Sequence, residues 1–498
     1  MRTVRWFRWA VVLLVGSGAA ASVAAPPPTL PALRRLQARL GVATSVLVVR
    51  LDAHRTLAAI DPQTRLIPAS LTKLYTAAAA LHRWGPDYRF VTRLAYRGRI
   101  AAGVLQGDLV FVGAGDPGLT WDSLWELAAG AAAQAGLRHV QGDLVIDQSR
   151  FGAVPCATAD RCRALRGSDH AYNAPLSSAG VNYGAWCVWV RPAPVVGRPA
   201  AVGLCPPVIP GTALVGGVRT TARGHGAHVE LWRTTEAGVD TLHVGGAVVA
   251  ALPTGRYYVS ASDPARLTGA LLRSLLAARG VRIDGHVRVI SHPLVNLAPL
   301  VAVKGPTLGH EISVMMHYSN DYMADVLALD LVRERAGGAD PPLLADAGAA
   351  LGRFAAAMDR AARIPGAAPR RTPVIASGSG LTPANRLSAD DVVALLTRMY
   401  HSPALFPSYL AALSVPRGAP MRMLRGGNRV WLTQTTVKTG SMNEPVSVLG
   451  VAGYFRTRDG GWGAFAVLVN GTRRRPHFAW YRAMAAIEHD IARLAAAR

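Results

Sequence analysis

The chain has 498 residues, of which 50% are hydrophobic, and a formal net charge of +24. This length gives two or three domains with a sizeable core, and the lack of a nucleic-acid-binding motif sets aside nucleic acid as a partner. The charge suits an anionic cell-wall polymer or an acidic lipid surface. The alternative is an arginine-rich composition whose charge is simply solvated.

The first 24 residues have the pattern of a secretory signal peptide. Arginines at positions 2, 5 and 8 precede an apolar run at 9–15 that is too short to span a bilayer, and small residues follow. We expect cleavage after Ala24 and a periplasmic protein; the alternative is an uncleaved anchor. No later apolar run is long enough for a membrane span, so none is predicted.

The next elements alternate between helix and strand patterns. Residues 30–40 predict an amphipathic helix, and residues 44–60 predict two strands joined by a turn. A second helix begins at Ser70 and carries its leucines and alanines on one face. It stops at Gly85 because glycine and the proline after it end a helix.

The start of this second helix carries the first chemical signal. Lys73 follows Ser70 by three residues, about one helical turn, so that its amine can reach the hydroxyl. Only three of the 54 basic residues are lysines. Arginine cannot lose its proton in a protein, whereas a desolvated lysine can act as a base. We therefore predict an activated serine nucleophile; the alternative is that Ser70 only caps the helix.

Residues 91–261 differ in character from the rest of the chain. Short apolar runs alternate with turn residues around one helix at 121–136, which predicts a β-rich insertion with its own core. All four cysteines lie within it, at positions 156, 162, 187 and 205. In an exported chain this set predicts disulfides that brace the insertion, rather than a zinc site with its usual C-x2-C spacing. Three pairings are possible, and the sequential one is the simplest.

Helical patterns return after residue 262. They cover 263–280 and much of 306–331. Strands are predicted within 433–470, and a closing helix near 477–496.

Two further motifs lie on these elements. The triplet Ser319-Asn320-Asp321 falls in the second helical segment, and Lys438-Thr439-Gly440-Ser441 falls in the predicted strands. With the Ser-x-x-Lys at 70–73 they resemble the motifs of the penicillin-recognising serine enzymes. The long insertion after the first motif resembles the D-alanyl-D-alanine carboxypeptidase/endopeptidase family of low-molecular-mass penicillin-binding proteins. Further similar stretches are residues 85–90, 172–175, 377–381 and 468–471.

The resemblance implies an α+β fold, with a transpeptidase-like catalytic domain of an antiparallel sheet and helices from residues 25–90 and 262–498, and a β-rich insertion at 91–261. It implies an exported serine hydrolase that acts on peptidoglycan peptides through an acyl-enzyme. Such an enzyme releases terminal D-alanine and can also cleave D-alanyl cross-links; β-lactams inhibit it, and it needs no cofactor or metal. The alternatives are a catalytically weak penicillin-binding wall scaffold and a β-lactamase, for which we can place no dedicated deacylating base.

The resemblance also assigns roles to the motif residues. Ser70 is the nucleophile, Lys73 takes its proton, and Ser319 passes a proton to the leaving D-alanine. The backbone N–H groups of Ser70 and of a residue near Met442 form an oxyanion hole. The strand motif holds the terminal carboxylate of the substrate, and its glycine admits the substrate backbone. The implied substrate-binding residues are Asn320, Asp321, Lys438, Thr439, Gly440 and Ser441.

One position departs from the family pattern. The triplet usually has an amide in third place, where this chain has Asp321. An ionised carboxylate cannot donate a hydrogen bond to a substrate carbonyl, and it can pair with Lys73 and keep it charged. Asn320 then becomes the candidate donor. In a second possible frame, Tyr318 takes the place of Ser319 and Asn320 supplies the amide.

Overall fold

The computed structural model describes residues 29–205, 209–224, 226, 228–336, 342–361 and 372–496. The predicted signal peptide at 1–24 lies outside the described residues. Helices and sheets are both abundant, as the α+β prediction requires. Within the described ranges, none of the helices has the length and apolar character that crossing a bilayer requires.

The elements are numbered in chain order. The helices are α1 (Pro31–Leu40), α2 (Lys73–Trp84), α3 (Trp121–Ala133), α4 (Ala159–Ala164), α5 (Pro264–Ala277), α6 (Leu308–His317), α7 (Asp321–Ala336), α8 (Leu344–Ala361), α9 (Ala389–Tyr400), α10 (Phe406–Ala411), α11 (Arg429–Gln434) and α12 (Trp480–Ala496). The strands are β1 (Ala43–Arg50), β2 (Arg55–Ile60), β3 (Val91–Ala101), β4 (Val104–Val112), β5 (His139–Val140), β6 (Leu144–Asp147), β7 (Gly167–Ser168), β8 (Ala185–Arg191), β9 (Ala201–Leu204), β10 (Ala213–Gly216), β11 (Arg219–Thr221), β12 (Val229–Glu236), β13 (Val239–Val249), β14 (Gly255–Ser260), β15 (Arg282–Ile283), β16 (Val287–Ile290), β17 (Ala298–Lys304), β18 (Thr435–Met442), β19 (Val448–Arg456) and β20 (Trp462–Asn470).

A five-stranded antiparallel sheet, in the order β18-β19-β20-β1-β2, joins the two ends of the chain. β1 pairs with β20 along its whole length, from Ala43 opposite Asn470 to Arg50 opposite Gly463. β19 and β20 are almost entirely buried, which accounts for their nearly unbroken apolar sequence. β18, which carries the Lys438 motif, is an edge strand of this sheet.

Helices cover both faces of the central sheet. α1, α11 and α12 pack on one face. α2 and α6–α9 pack on the other, where the largest apolar core lies. The predicted helix at 30–40 is confirmed: Pro31 occupies its first turn, and Gly41 ends it with a left-handed φ of 59°.

The inserted unit extends further than predicted. β3 and β4 start a seven-stranded sheet that also contains β5, β6 and β15–β17, with α3 and α5 packed on it. β17 pairs with β3, so that Lys304 lies opposite Val91. The sequence predicts a return to the catalytic domain at 262, whereas the pairing of β17 with β3 leads us to infer a return after Lys304. The helical pattern at 263–280 was read correctly, but a pattern on one helix does not say which sheet the helix covers.

The remaining strands form two smaller sheets within the insertion. β8, β9 and β14 make one, and β7 with β10–β13 makes the other. Their apolar faces share a core of their own, as the β-rich prediction requires. Both predicted disulfides are present with sequential pairing, Cys156–Cys162 and Cys187–Cys205. The zinc-site alternative is excluded because all four cysteine sulfurs form disulfides and none is left to bind a metal.

A buried carboxyl pair joins the inserted unit to α6. Asp116 follows β4 and Glu311 lies on α6; they are 5% and 1% exposed. Burial, and then the charge of Asp116, raise the pKa of Glu311 to about 10. Burial also raises the pKa of Asp116, whose Oδ1 accepts a hydrogen bond from the Gly118 backbone. We infer that Glu311 is the protonated member of the pair.

Replacing Glu311 by glutamine should make the free energy of unfolding less sensitive to a rise in pH. The folded-state pKa of Glu311 lies above its unfolded value, so the native state holds a proton that the unfolded state releases. Stability is therefore greatest at low pH and falls as pH rises towards 10, by at most about 1.4 kcal/mol per pH unit. Unfolding free energies measured from pH 5 to 8 should fall less steeply in Glu311→Gln than in wild type. The exposed Glu126 serves as control, and an unchanged slope in Glu311→Gln would contradict the assignment.

Candidate active site

Ser70 lies in a tight turn where the chain enters α2. Residues 69–72 form a 3₁₀ turn that continues into α2 at Lys73. The preceding residue, Ala69, has a φ of 46°, a strained conformation for alanine that fixes the direction of the turn. Lys73 is fully buried, and its Nζ donates a hydrogen bond of 2.8 Å to Ser70 Oγ. The predicted one-turn spacing thus produces a direct contact.

Lys73 Nζ has three acceptors around it. Besides Ser70 Oγ, it donates to Asp321 Oδ1 at 2.5 Å and to the Ser379 carbonyl at 2.8 Å. These contacts use all three donors of an ammonium group. Asp321 is 8% exposed, so little water competes for its carboxylate. The pairing of Asp321 with Lys73 that the sequence suggested is therefore present.

A second lysine–serine contact lies beside the first. Lys438 Nζ on β18 donates to Ser319 Oγ at 2.8 Å and to the Thr439 carbonyl at 2.7 Å. Ser319 connects α6 to α7 and has a φ of 54°, which turns the chain sharply at this point. Burial, and then the charge of Lys73, lower the pKa of Lys438 well below its usual value. The two lysines of the motifs therefore lie in one electrostatic unit.

Asn320 and Asp321 of the triplet make different contacts. Asn320 caps α7, because its Oδ1 accepts from the backbone N–H of Met323 at 3.0 Å. Asp321 is the first residue of α7 and directs its carboxylate to Lys73. Tyr318 is 69% exposed, and it is Ser319 that Lys438 contacts. This contact favours the first reading of the triplet over the frame that starts at Tyr318.

The strand motif is packed tightly against the nucleophile turn. A Cβ atom at Gly440 would lie 2.4 Å from the Pro68 carbonyl oxygen and 3.0 Å from the Ser70 backbone nitrogen. Glycine is required here so that β18 and the nucleophile turn can touch. We predicted that Gly440 admits the substrate backbone; the structure gives it this different physical reason.

Thr439 does not join the cluster. Its hydroxyl donates to the sulfur of Met421 at 3.0 Å, on the face of β18 opposite to Gly440, because side chains alternate along a strand. Ser441 is partly exposed. The structure thus brings together Ser70, Lys73, Ser319, Asp321 and Lys438, whereas a contact of Thr439 or Ser441 with substrate stays a prediction.

Two contributors to the site were missed by sequence reasoning. The hydroxyls of Ser377 and Ser379 accept from the backbone N–H groups of Gly380 and Leu381. The contact with Lys73, however, comes from the backbone carbonyl of Ser379, which leaves no signal in a sequence. Arg161 of α4 is the other missed residue; it is fully buried and pairs with Asp325 at 2.6 Å.

A cavity of about 650 Å³ opens beside the triplet and continues into the inserted unit. Six of its lining residues are aromatic. They are Trp121, Tyr172, Tyr183, Trp186, Tyr258 and Tyr318. Cys187 and Cys205 also line this cavity, so the disulfide that joins them within the insertion lies beside the candidate site.

The sequence model of the D-Ala-D-Ala carboxypeptidase 3 (S13) family matches residues 33–491. The chain belongs to this family. The S13 chain is similar to a D-alanyl-D-alanine carboxypeptidase of Actinomadura sp. (strain R39), at 28% identity over 455 residues that cover 86% of this chain and 78% of the relative. A segment of 103 residues is 34% identical to DacB of Haemophilus influenzae and covers 21% of each chain.

Solved structures show the same fold. Penicillin binding protein 4 (dacB) from Haemophilus influenzae has a TM-score of 0.71 at 20% identity, covering 92% of this chain and 99% of that one. Its complex with a β-lactam gives a TM-score of 0.69 at 18% identity, covering 93% and 99%. The predicted family, the α+β penicillin-recognising fold and the class of serine-type D-Ala-D-Ala carboxypeptidase are confirmed. The roles of individual residues stay predictions.

Proposed function

We propose that this S13 enzyme releases terminal D-alanine from peptidoglycan peptides through an acyl-enzyme on Ser70. The observation that carries the proposal is the pair of 2.8 Å contacts, Lys73 to Ser70 and Lys438 to Ser319. Two serine hydroxyls, each against a buried lysine, supply a nucleophile and a second proton carrier. A lysine ammonium group in this cluster suits a substrate that ends in a carboxylate.

The proton of Ser70 follows the Lys73 contact. Lys73 first passes one proton to Asp321 across their 2.5 Å contact, and the neutral amine then takes the proton of Ser70 as the oxygen attacks the penultimate D-alanyl carbonyl. The tetrahedral oxyanion is stabilised by the backbone N–H of Ser70 and one on β18 near Met442. In this scheme Asp321 supports the base instead of disabling it.

Departure of D-alanine uses the second contact. As the C–N bond breaks, Ser319 gives its proton to the leaving amine and recovers one from Lys438. Lys438 also attracts the terminal carboxylate of the substrate through its charge. Asn320 and the aromatic cavity contact the acyl side of the peptide. Water then attacks the ester and gives one proton to the neutral Lys438. Ser70 Oγ leaves with a proton from Lys73, and Asp321 returns its proton to Lys73, which restores the enzyme.

The location and inhibitors follow from the same substrate. The enzyme acts in the periplasm after cleavage of the signal peptide at 1–24, where the cross-linked polymer lies. Cleavage of D-alanyl cross-links uses the same acyl transfer, and the amine of the second peptide leaves in place of D-alanine. β-Lactams acylate Ser70 because their strained amide takes the place of the D-alanyl bond.

Release of D-alanine tests the proposal. A synthetic pentapeptide ending in D-Ala-D-Ala should lose its terminal D-alanine on incubation with the wild-type protein. A matched peptide ending in D-Ala-L-Ala should keep its terminal L-alanine. Absence of release from the first peptide by folded protein would refute the carboxypeptidase reading, and equal release from both would refute its stereospecificity. A cross-linked dimer in the same assay measures the endopeptidase activity.

Replacing Asp321 by asparagine should lower D-alanine release by about tenfold or more, because Lys73 loses the group that takes its proton. The scaffold alternative predicts the opposite, since the acid would then hold Lys73 charged and inactive. Comparing release and penicillin acylation in wild type and Asp321→Asn separates the two readings. A wild type that acylates without releasing D-alanine, and gains release in Asp321→Asn, would favour the scaffold.

A further inference from the structure

Arg161 reaches from the inserted unit into the catalytic core. It lies on α4, and its side chain is 1% exposed. The guanidinium donates to Asp325 Oδ2 at 2.6 Å, to the Ala174 carbonyl at 3.0 Å and to the Asp321 carbonyl at 3.4 Å. Burying a guanidinium costs several kcal/mol unless its donors are matched in this way, so the contacts fix its position closely.

Two chains of hydrogen bonds connect Arg161 to Lys73. Asp325 Oδ1 accepts from the Ser379 backbone N–H at 2.8 Å, and the Ser379 carbonyl accepts from Lys73 Nζ at 2.8 Å. The second route runs through Asp321, whose main chain contacts Arg161 and whose carboxylate contacts Lys73. Two of the three residues that accept from Lys73 are therefore linked to the same guanidinium: Asp321 directly, and Ser379 through Asp325.

A disulfide holds the helix that presents Arg161. α4 has only six residues, too few to be stable alone. The Cys156–Cys162 bond closes a short loop that includes the start of α4, with Arg161 next to Cys162. The Thr158 hydroxyl caps the helix by accepting from the Arg161 backbone N–H. The conformation of Arg161 is thus set from outside the catalytic domain.

We propose that Arg161, held by the Cys156–Cys162 disulfide, is a positioning residue that orients the acceptors of Lys73 for acylation. The inference rests on the proposed function of Ser70 and Lys73. It gives the inserted unit a part in the reaction, because the group that aligns the catalytic base comes from that unit. Removing Arg161 should leave substrate binding intact and slow the chemical step.

The experiment measures acylation by a chromogenic cephalosporin at saturating and limiting concentrations in wild type and Arg161→Met. We expect the limiting rate constant to fall about 10- to 100-fold, the scale of small misplacements of catalytic groups. The half-saturating concentration should stay within about twofold of wild type if positioning alone is lost. Arg161→Lys, which keeps the charge but not the fork, should recover part of the rate.

Two further variants separate positioning from stability. In the double variant Arg161→Met with Asp325→Leu, both buried charges are gone, so the melting temperature should recover while acylation stays slow. Arg150→Met is the matched control: Arg150 pairs at 2.5 Å with Asp330, also on α7 but about one and a half turns farther along. Arg150→Met should lower the melting temperature without changing the limiting rate constant of the folded protein.

Removing the disulfide gives an independent test of the inference. The double variant Cys156→Ser with Cys162→Ser should show an intermediate fall in the limiting rate constant. A folded Arg161→Met that acylates at the wild-type rate, or a double variant Arg161→Met with Asp325→Leu that regains it, would overturn the inference. A wild type that is not acylated at all would instead refute the proposed function.

Discussion

Lys73→Arg should lower the rate of acylation by a penicillin by about 10²-fold or more, although the positive charge is kept. Lys73 Nζ lies within 2.8 Å of three acceptors, one of them Ser70 Oγ. Arginine is longer, and it cannot lose a proton to become a base. Stopped-flow acylation measured at several pH values tests the expectation.

The chain offers a matched control for this change. Lys304 is an exposed lysine on β17, and Lys304→Arg should acylate at the wild-type rate. If Lys73→Arg acylates as fast as this control, the role of Lys73 is electrostatic only. The scarcity of lysine, which first drew attention to this position, would then have misled the interpretation.

Gly440→Ala should reduce acylation by about 10²-fold through displacement of the nucleophile turn. The added methyl would lie 2.4 Å from the Pro68 carbonyl oxygen and 2.9 Å from the Leu71 backbone nitrogen. These are backbone atoms that cannot rotate away, so β18 or the turn must move. Both the attack of Ser70 and its oxyanion hole depend on their spacing.

Gly418→Ala controls for the general cost of replacing a glycine. A Cβ there meets nothing within 4 Å, so this variant should keep the wild-type acylation rate and melting temperature. A Gly440→Ala protein with wild-type acylation would show that the contact between β18 and the turn is loose enough to absorb a methyl group.

The parts of the site that local sequence determines could be predicted. The Ser70 and Lys73 contact follows from one helical turn. Lys438 lies on β18, within the region 433–470 where strands are predicted. The helices α2, α5 and α6 begin close to their predicted starts because capping residues and apolar periodicity are local signals.

The parts that depend on tertiary contacts could not be predicted. The Ser379 carbonyl is a backbone group, so its contact with Lys73 leaves no trace in the sequence. Arg161 is one arginine in an arginine-rich chain, and only its burial against Asp325 distinguishes it. Neighbouring residues on a strand face opposite sides, and the Thr439 hydroxyl contacts Met421; its contact with substrate stays a prediction.

The central claim is that Ser70 forms the acyl-enzyme. Intact-protein mass spectrometry after incubation with a penicillin, followed by peptide mapping, tests it most directly. The account predicts one added penicillin per wild-type molecule, located on the peptide that contains Ser70, and none in Ser70→Ala. An adduct of equal yield in Ser70→Ala, or one mapped to Ser319 or another residue in wild type, would contradict it.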